Sequence, residues 1–341
     1  MASHRRPSAS GFDRGARVTL LSAAAATAAA ALGTAPAGAD PAGGPAATRA
    51  QVDRLYEQAE KATERYNEAG EHADELRAQV ARARDRAARG QEDINRMRDT
   101  LGSVAGAQYR SGGVDPALAL LLSGDPDTYL DRAAVLDRLG DREAAVLSDL
   151  RRAQRRLGQE RAEAARKLSE LERTRSALAR HKRTVEAKLA TAERLLASLP
   201  ASERAAYDRA SRSGRIPDLS GGAGPSSARA AAAVAAAQSA VGRPYVWGAN
   251  GPSGFDCSGL TQWSYAQAGV GLPRTSQAQR YAGQQVPLSQ ARPGDLVTYR
   301  SDASHVAMYV GNGQVVHAPY PGAAVRYDPV GMMPIASVTR P

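Results

Sequence analysis

A seven-residue repeat in the first third of the chain limits its possible folds more than any other feature. Val52, Ala59, Tyr66, Ala73, Val80, Ala87, Ile94 and Leu101 recur every seven residues, and Leu55, Ala62, Ala69, Leu76, Ala83, Gly90, Met97 and Val104 follow each by three. Eight such pairs with charged residues between them predict a coiled-coil helix. Its many alanines make a narrow seam, and Gly90 is the one poor seam residue. The breakers Ser111-Gly112-Gly113-Val114-Asp115-Pro116 end this helix. A wholly apolar run at 117–122 follows, and Asp125 or Asp127 is a capping candidate for a second helix reaching about Leu199. In that helix Leu150, Leu157, Ala164, Leu171, Leu178, Val185, Ala192 and Leu199 hold the same spacing, while Glu160, Lys167, Thr174 and Lys188 make the companion positions polar. Two long helices joined by a compact tip predict an all-α antiparallel coiled-coil hairpin, each arm approaching about 90 Å at roughly 1.5 Å per residue.

The composition shifts on both sides of this hairpin. Arg5, Arg6, Arg14 and Arg17 precede an alanine-rich apolar run at 18–32 and an Ala37-Gly38-Ala39 ending, the pattern of a secretory signal peptide over residues 1–39. The apolar run is shorter than the roughly 20 residues a membrane span needs. Arg5-Arg6 lacks the surroundings of a twin-arginine signal, which favours the general secretion route. Cleavage after Ala39 would remove four arginines and one aspartate, taking the formal charge from +10 to +7. For an exported chain that charge favours an anionic wall polymer as partner, and no nucleic-acid motif is present. The hairpin then occupies 40–199, with 40–48 as a short leader. A linker rich in Ser, Gly, Pro and Arg fills 200–226 around Gly221-Gly222-Ala223-Gly224-Pro225. Lysine and glutamate, frequent up to Glu203, are absent from the second domain at 227–341.

That domain holds the chain's only cysteine, Cys257, after the turn residues Gly251-Pro252-Ser253-Gly254 and before Leu260, Trp263 and Ala266 at helical spacing. An exported chain with one cysteine has no internal disulfide, and a thiol at a helix N-terminus is expected to have a lowered pKa and act as a nucleophile. A nucleophile needs a base, and the base needs a group to orient it. His305, opening a strand at 306–310, and His317, ending one at 314–316, are the two histidines available. A two-residue Asn312-Gly313 loop would pair Met308 with His317 and put the imidazoles on opposite faces. A three-residue loop, Gly311-Asn312-Gly313, pairs Ala307 with His317 and puts them on one face, so that loop is predicted. A zinc site of Cys257, His305 and His317 is the rival reading. It lacks any CxxC or HxxxH pair, and the hydrolytic reading needs no metal or organic cofactor.

These residues resemble a known family. Tyr245-Val246-Trp247-Gly248, Phe255-Asp256-Cys257-Ser258-Gly259-Leu260, Leu272-Pro273-Arg274-Thr275-Ser276, Pro293-Gly294-Asp295-Leu296, His305-Val306-Ala307-Met308-Tyr309-Val310-Gly311 and His317-Ala318 are together similar to the NlpC-type, papain-like peptidases of bacterial cell walls. The resemblance implies an α+β papain-like domain that hydrolyses the γ-D-glutamyl bond to the diamino acid of peptidoglycan stem peptides. It implies catalysis by Cys257, His305 and His317, with Tyr245 beside the thiolate helping to polarise the carbonyl. Asp256, Ser258, Arg274, Ser276 and Trp247 would line the substrate cleft, with Arg274 a bidentate partner for the α-carboxylate of D-glutamate. The hairpin is similar to the coiled-coil regions of secreted wall hydrolases of cell division. That likeness implies docking on a membrane complex and restraint of the catalytic domain. Two other readings stay open: an amidase cutting the muramyl to L-alanine bond with the same chemistry, and a non-catalytic wall-binding scaffold.

Overall fold

The computed structural model of the chain describes residues 44–110, 112, 116–122, 127–212 and 224–341. The export segment read at 1–39 lies outside them. Helix α1 (Pro45–Arg110) and helix α3 (Tyr129–Ser198) run antiparallel, with Lys188 beside Gln58 near one end and Arg161 beside Gln91 farther along. The repeat explains their contact. Val52, Ala59, Ala73, Val80 and Ile94, with Ala62, Leu76 and Ala83 three residues after members of that set, are buried, as are Leu157, Leu171, Val185 and Ala192 of α3. A Cβ added at Gly90 would lie 3.7 Å from Leu157, an ordinary contact, so the seam has room for a side chain at this one weak position. Burial lapses toward the tip, where Val104 and Leu147 are exposed, as are Leu118 and Leu121 on the short helix α2 (Pro116–Leu121). Thr128, rather than Asp127, stands at the N-cap of α3.

Helix α4 (Ala201–Arg212) occupies the first part of the stretch read as linker. Its alanines, arginines and Glu203 favour helix, and Tyr207 gives it an aromatic neighbour in Tyr320, 6.3 Å between ring centroids. Tyr320 also stacks on Tyr56 of α1, with centroids 5.1 Å apart.

The second domain opens with α5 (Ala228–Ser239), capped by the Ser227 side chain, which accepts from the Ala230 N–H. Helices α6 (Cys257–Gln267) and α7 (Ser276–Gln279) follow. Six strands then form one antiparallel sheet: β1 (Gln284–Val286), β2 (Leu296–Tyr299), β3 (His305–Gly311), β4 (Gln314–His317), β5 (Arg326–Pro329) and β6 (Ile335–Arg340), in the order β1-β6-β2-β3-β4-β5. Leu260 and Tyr265 of α6 pack with Leu296, Val306, Met308 and Val316, fixing that helix across the centre of the sheet. The N-terminal all-α hairpin and the C-terminal α+β papain-like domain are the architecture expected from the repeat and the motifs.

The β3–β4 connection corrects one expectation. Asn312 and Gly313 form a two-residue turn, with φ of 50° and 69°, and not the three-residue loop. A bulge between Tyr309 and Gly311 supplies the missing residue, so Met308 pairs with Val316 and Ala307 comes opposite His317. The register is the one required for two imidazoles on one face. The device that sets it is a bulge, with Val310 as the extra, unpaired residue and Gly311 following it at φ 102°.

Candidate active site

Asp256 caps α6. Its carboxylate accepts from the Gly259 N–H at 2.7 Å, so Cys257 becomes the first helical residue. Gly259 is required there, because a Cβ would lie 2.2 Å from the Ala249 carbonyl oxygen of the preceding loop. The helix start is thereby pressed against that loop and the thiol is held inward, 1% exposed.

The imidazoles form a chain. His305 Nε2 lies 2.9 Å from His317 Nδ1, and His317 Nε2 lies 2.8 Å from Asp328 Oδ2. A carboxylate only accepts, so His317 carries its hydrogen on Nε2 and offers Nδ1 as acceptor. His305 must then donate from Nε2, which leaves its Nδ1 facing Cys257 and the hairpin. Burial, opposed by Asp328, pushes the His317 pKa down to about 4, so this ring is a neutral orienting group near neutral pH. Asp328 is itself disfavoured by burial, but His317 and Arg326 outweigh that and hold its carboxyl below the usual range.

The outer face of α1 lies directly on this centre. Glu60 and Glu64, on the face of α1 turned away from α3, are 4% and 2% exposed. The Glu60 carboxylate is bonded to His305 Nδ1 and takes a 2.6 Å hydrogen bond from Arg300 on its other oxygen. Burial works against this charge, yet His305 and Arg300 together keep the Glu60 pKa below the ordinary range. One turn on, Glu64 accepts from Ser258 Oγ and from the Ser276 N–H, both at 2.8 Å, and stands 3.5 Å from Cys257 Sγ. Burial, and then Asp256, push the Glu64 pKa up to about 8 against the opposing pull of Ser276, Ser258 and Arg274. Asn67 donates to Asp256 at 3.1 Å, and Glu71 accepts from the Arg274 N–H at 3.0 Å.

The expected thiolate is therefore reversed in this arrangement. Burial, followed by the carboxylates of Glu64, Glu60 and Asp256, raises the Cys257 pKa well above its ordinary value. The helix start and a hydrogen bond from Val306 favour the anion, but three acidic side chains and dehydration outweigh them.

The remaining predicted residues are brought to the same place in varied states. Arg274 is buried and gives both oxygens of Asp256 a hydrogen bond, at 2.9 and 2.5 Å, while also donating to Ser258 Oγ at 2.9 Å. Asp256 is thus fully engaged by the cap, Arg274, Gly248 and Asn67. The Tyr245 hydroxyl is buried and has no hydrogen-bond partner among the described residues, and burial, followed by Cys257, pushes its pKa well above the ordinary value. Trp247 meets Tyr66 of α1 edge-on, ring centroids 5.2 Å apart. Sequence reasoning did not single out Asp328, Arg300, Glu60, Glu64 or Asn67. Asp328 had a weak signal, as an acid on the strand paired with that of His317. The hairpin glutamates had none, because equivalent outward positions such as Asp74, Asp85 and Glu92 look alike and are exposed.

A buried thiol at a helix start, an imidazole at the start of an inner strand of an antiparallel sheet and a second imidazole orienting it define the papain-like class of cysteine hydrolase sites. Residues 242–337 match the model of the NlpC/P60 family, and this part of the chain is an NlpC/P60 domain. A probable endopeptidase of Mycobacterium tuberculosis is 50% identical over 99 residues, 29% of this chain and 26% of that protein. The probable endopeptidase p60 of Listeria monocytogenes is 52% identical over 97 residues, 28% of this chain and 20% of that protein. Among solved structures, the NlpC/p60 domain of the peptidoglycan hydrolase SagA is 40% identical, with 33% of this chain and 98% of that one covered and a TM-score of 0.31. The chain thus spans about a quarter of the length of the mycobacterial relative.

Proposed function

We propose that this chain is an exported peptidoglycan endopeptidase that cleaves the γ-D-glutamyl to diamino acid bond and is held latent by its own hairpin. The observation that carries the chemistry is the Asp328–His317–His305 chain, whose outer nitrogen, His305 Nδ1, is held by Glu60 beside Cys257. With the hairpin lifted, His305 Nδ1 takes the thiol proton and the Cys257 sulfur attacks the γ-carbonyl. The oxyanion lies within reach of the Cys257 backbone N–H at the helix start and of the unpartnered Tyr245 hydroxyl. The leaving amine receives the proton from His305, and water, deprotonated by the same ring, frees the acyl group. Ser258, Ser276 and Arg274 form a cradle for a substrate carboxylate, a reading supported by the Glu64 carboxylate that lies in it.

Latency rests on the same two glutamates. Glu60 occupies the nitrogen that must receive the thiol proton, and Glu64 occupies the carboxylate cradle. Export follows from the leader at 1–39, and docking on a membrane complex from the exposed Leu118, Leu121 and Leu130 at the tip. No helix among the described residues is long and apolar enough to cross a membrane.

The test is digestion of purified peptidoglycan by the chain from residue 44, by residues 227–341, and by Glu60→Ala/Glu64→Ala, with products identified by mass and by the newly freed amine. The short form and the double variant should release fragments ending in D-glutamate at least about tenfold faster than the full chain, since each breaks buried charge contacts worth several kcal/mol. Free L-alanine amines would make it an amidase. Full activity in Cys257→Ala would remove the catalytic reading, and equal rates in all forms would remove latency.

A further inference from the structure

A carboxylate oxygen of Glu60, Cys257 Sγ and a ring nitrogen of His305 all lie within 4.8 Å of one another, brought together from α1, the first residue of α6 and the first residue of β3. They are a carboxylate oxygen, a sulfur and an imidazole nitrogen, the three protein donors that zinc takes at about 2.0–2.3 Å. The hydrogen-bond chain through His317 to Asp328 fixes His305 Nε2 as a donor and leaves Nδ1 turned to Glu60, so a metal here takes the place of the proton shared between Nδ1 and the Glu60 carboxylate. Glu60 is held likewise, its second oxygen fixed by Arg300 at 2.6 Å. Three carboxylates (Glu60, Glu64, Asp256) face two guanidiniums (Arg274, Arg300) around the thiol. Even with Glu64 protonated, Glu60, Asp256 and a bound thiolate outnumber the two guanidiniums by one charge, which a divalent ion supplies. A cavity of about 380 Å³ lined by Glu60, His317 and Asp328 reaches one of the three donors, Glu60, along the border between hairpin and domain.

We propose that the closed chain binds one zinc ion through Glu60, Cys257 and His305, and that this ion bridges hairpin and catalytic domain and locks the hydrolase shut. The site differs from one made by Cys257, His305 and His317, because His317 Nδ1 is already committed to His305. The inference rests on the latent arrangement of the preceding section, because one ligand belongs to the hairpin. Binding sheds the thiol proton and the proton shared by His305 and Glu60 to solvent, and by linkage the metal favours closure as much as closure favours the metal.

The experiment titrates the full chain with Co²⁺ as a spectroscopic probe and then displaces it with Zn²⁺. One equivalent should give a near-ultraviolet sulfur-to-cobalt charge-transfer band that Cys257→Ser abolishes. Glu60→Ala should weaken binding by at least about tenfold, because loss of a direct ligand costs no less than loss of an outer partner. Glu60→Gln, which keeps the side-chain shape, should do the same and guards against a folding defect. Unchanged cobalt affinity in both variants, or absence of the sulfur band in the wild-type chain, overturns the proposal. Peptidoglycan hydrolysis without metal is measured in parallel. If the Glu60 variants are activated while their cobalt affinity is unchanged, the metal site falls and latency stands; if neither changes, both fall.

Discussion

Asp328 is the residue whose role is most open to a clean measurement. Its carboxylate fixes the His317 tautomer at 2.8 Å, and that tautomer fixes His305 at 2.9 Å. Asp328→Asn offers His317 Nε2 an amide that can present either a donor or an acceptor, so the orientation is no longer dictated. In a background freed of Glu60 and Glu64, kcat/KM should fall by about a hundredfold, the low end of what positioned acid–base catalysis supplies. Because the two residues act as one chain, Asp328→Asn/His317→Ala should cost no more than His317→Ala alone, and additive losses would show that Asp328 acts elsewhere. The cysteine and both histidines were legible in the sequence because the domain holds few other chemically useful side chains. The protonation of the thiol was not, since it depends on carboxylates nearly 200 positions away, as in the Glu64 to Cys257 contact.

Helix α1 presents two faces with different tasks, and only one of them can be read from a repeat. Its seam of Val52, Ala59, Ala73 and Val80 packs on α3, and the seven-residue spacing announces it. Its opposite face carries Glu60, Glu64, Asn67 and Glu71 onto the catalytic domain, and polar residues on an outer face ordinarily signify solvent. The β3–β4 hairpin shows a related limit: parity required the two histidines on one face, but whether a loop or a bulge achieves it is settled by backbone geometry at Gly311. The docked face should respond to pH. Burial and Asp256 raise the Glu64 pKa to about 8, against roughly 4.3 for a carboxyl in water, so the closed state holds a proton there that the open state releases. Closure is therefore fully supported by this group below about pH 4.5 and loses that support as pH rises toward about 8. Glu60 acts only below the ordinary carboxyl range, and Cys257 only above the ordinary thiol range, so neither cancels the effect inside that window. Emission of Trp247, which packs on Tyr66, followed in Trp263→Phe from about pH 5 to about pH 8, should report opening. Glu64→Gln should flatten the curve and stay closed at the upper end; identical curves would assign the transition to another group.

For the molecule as a whole, the hairpin acts on the catalytic domain as a tethered ligand, and its strength can be separated from its tether. The glutamate contacts, the Asn67 bond to Asp256 and the stack of Tyr56 on Tyr320 form one continuous surface along α1. The residues joining α4 to α5 keep that surface near the domain. A short connection of this kind supplies an effective concentration on the order of 1 mM. If closure holds about 99% of the chain, the hairpin alone, residues 44–212, should bind residues 227–341 with a Kd of roughly 10 μM. Adding it in trans should then inhibit hydrolysis competitively with peptidoglycan stem peptides, because Glu64 and the substrate carboxylate claim the same Ser258 and Ser276 donors. A hairpin carrying Glu60→Ala/Glu64→Ala should fail at ten times that concentration, about 100 μM. Inhibition that persists with the double variant would locate the restraint in the Tyr56–Tyr320 contact rather than at the catalytic centre. Inhibition indifferent to substrate concentration would mean that the hairpin distorts the domain instead of occupying its cleft.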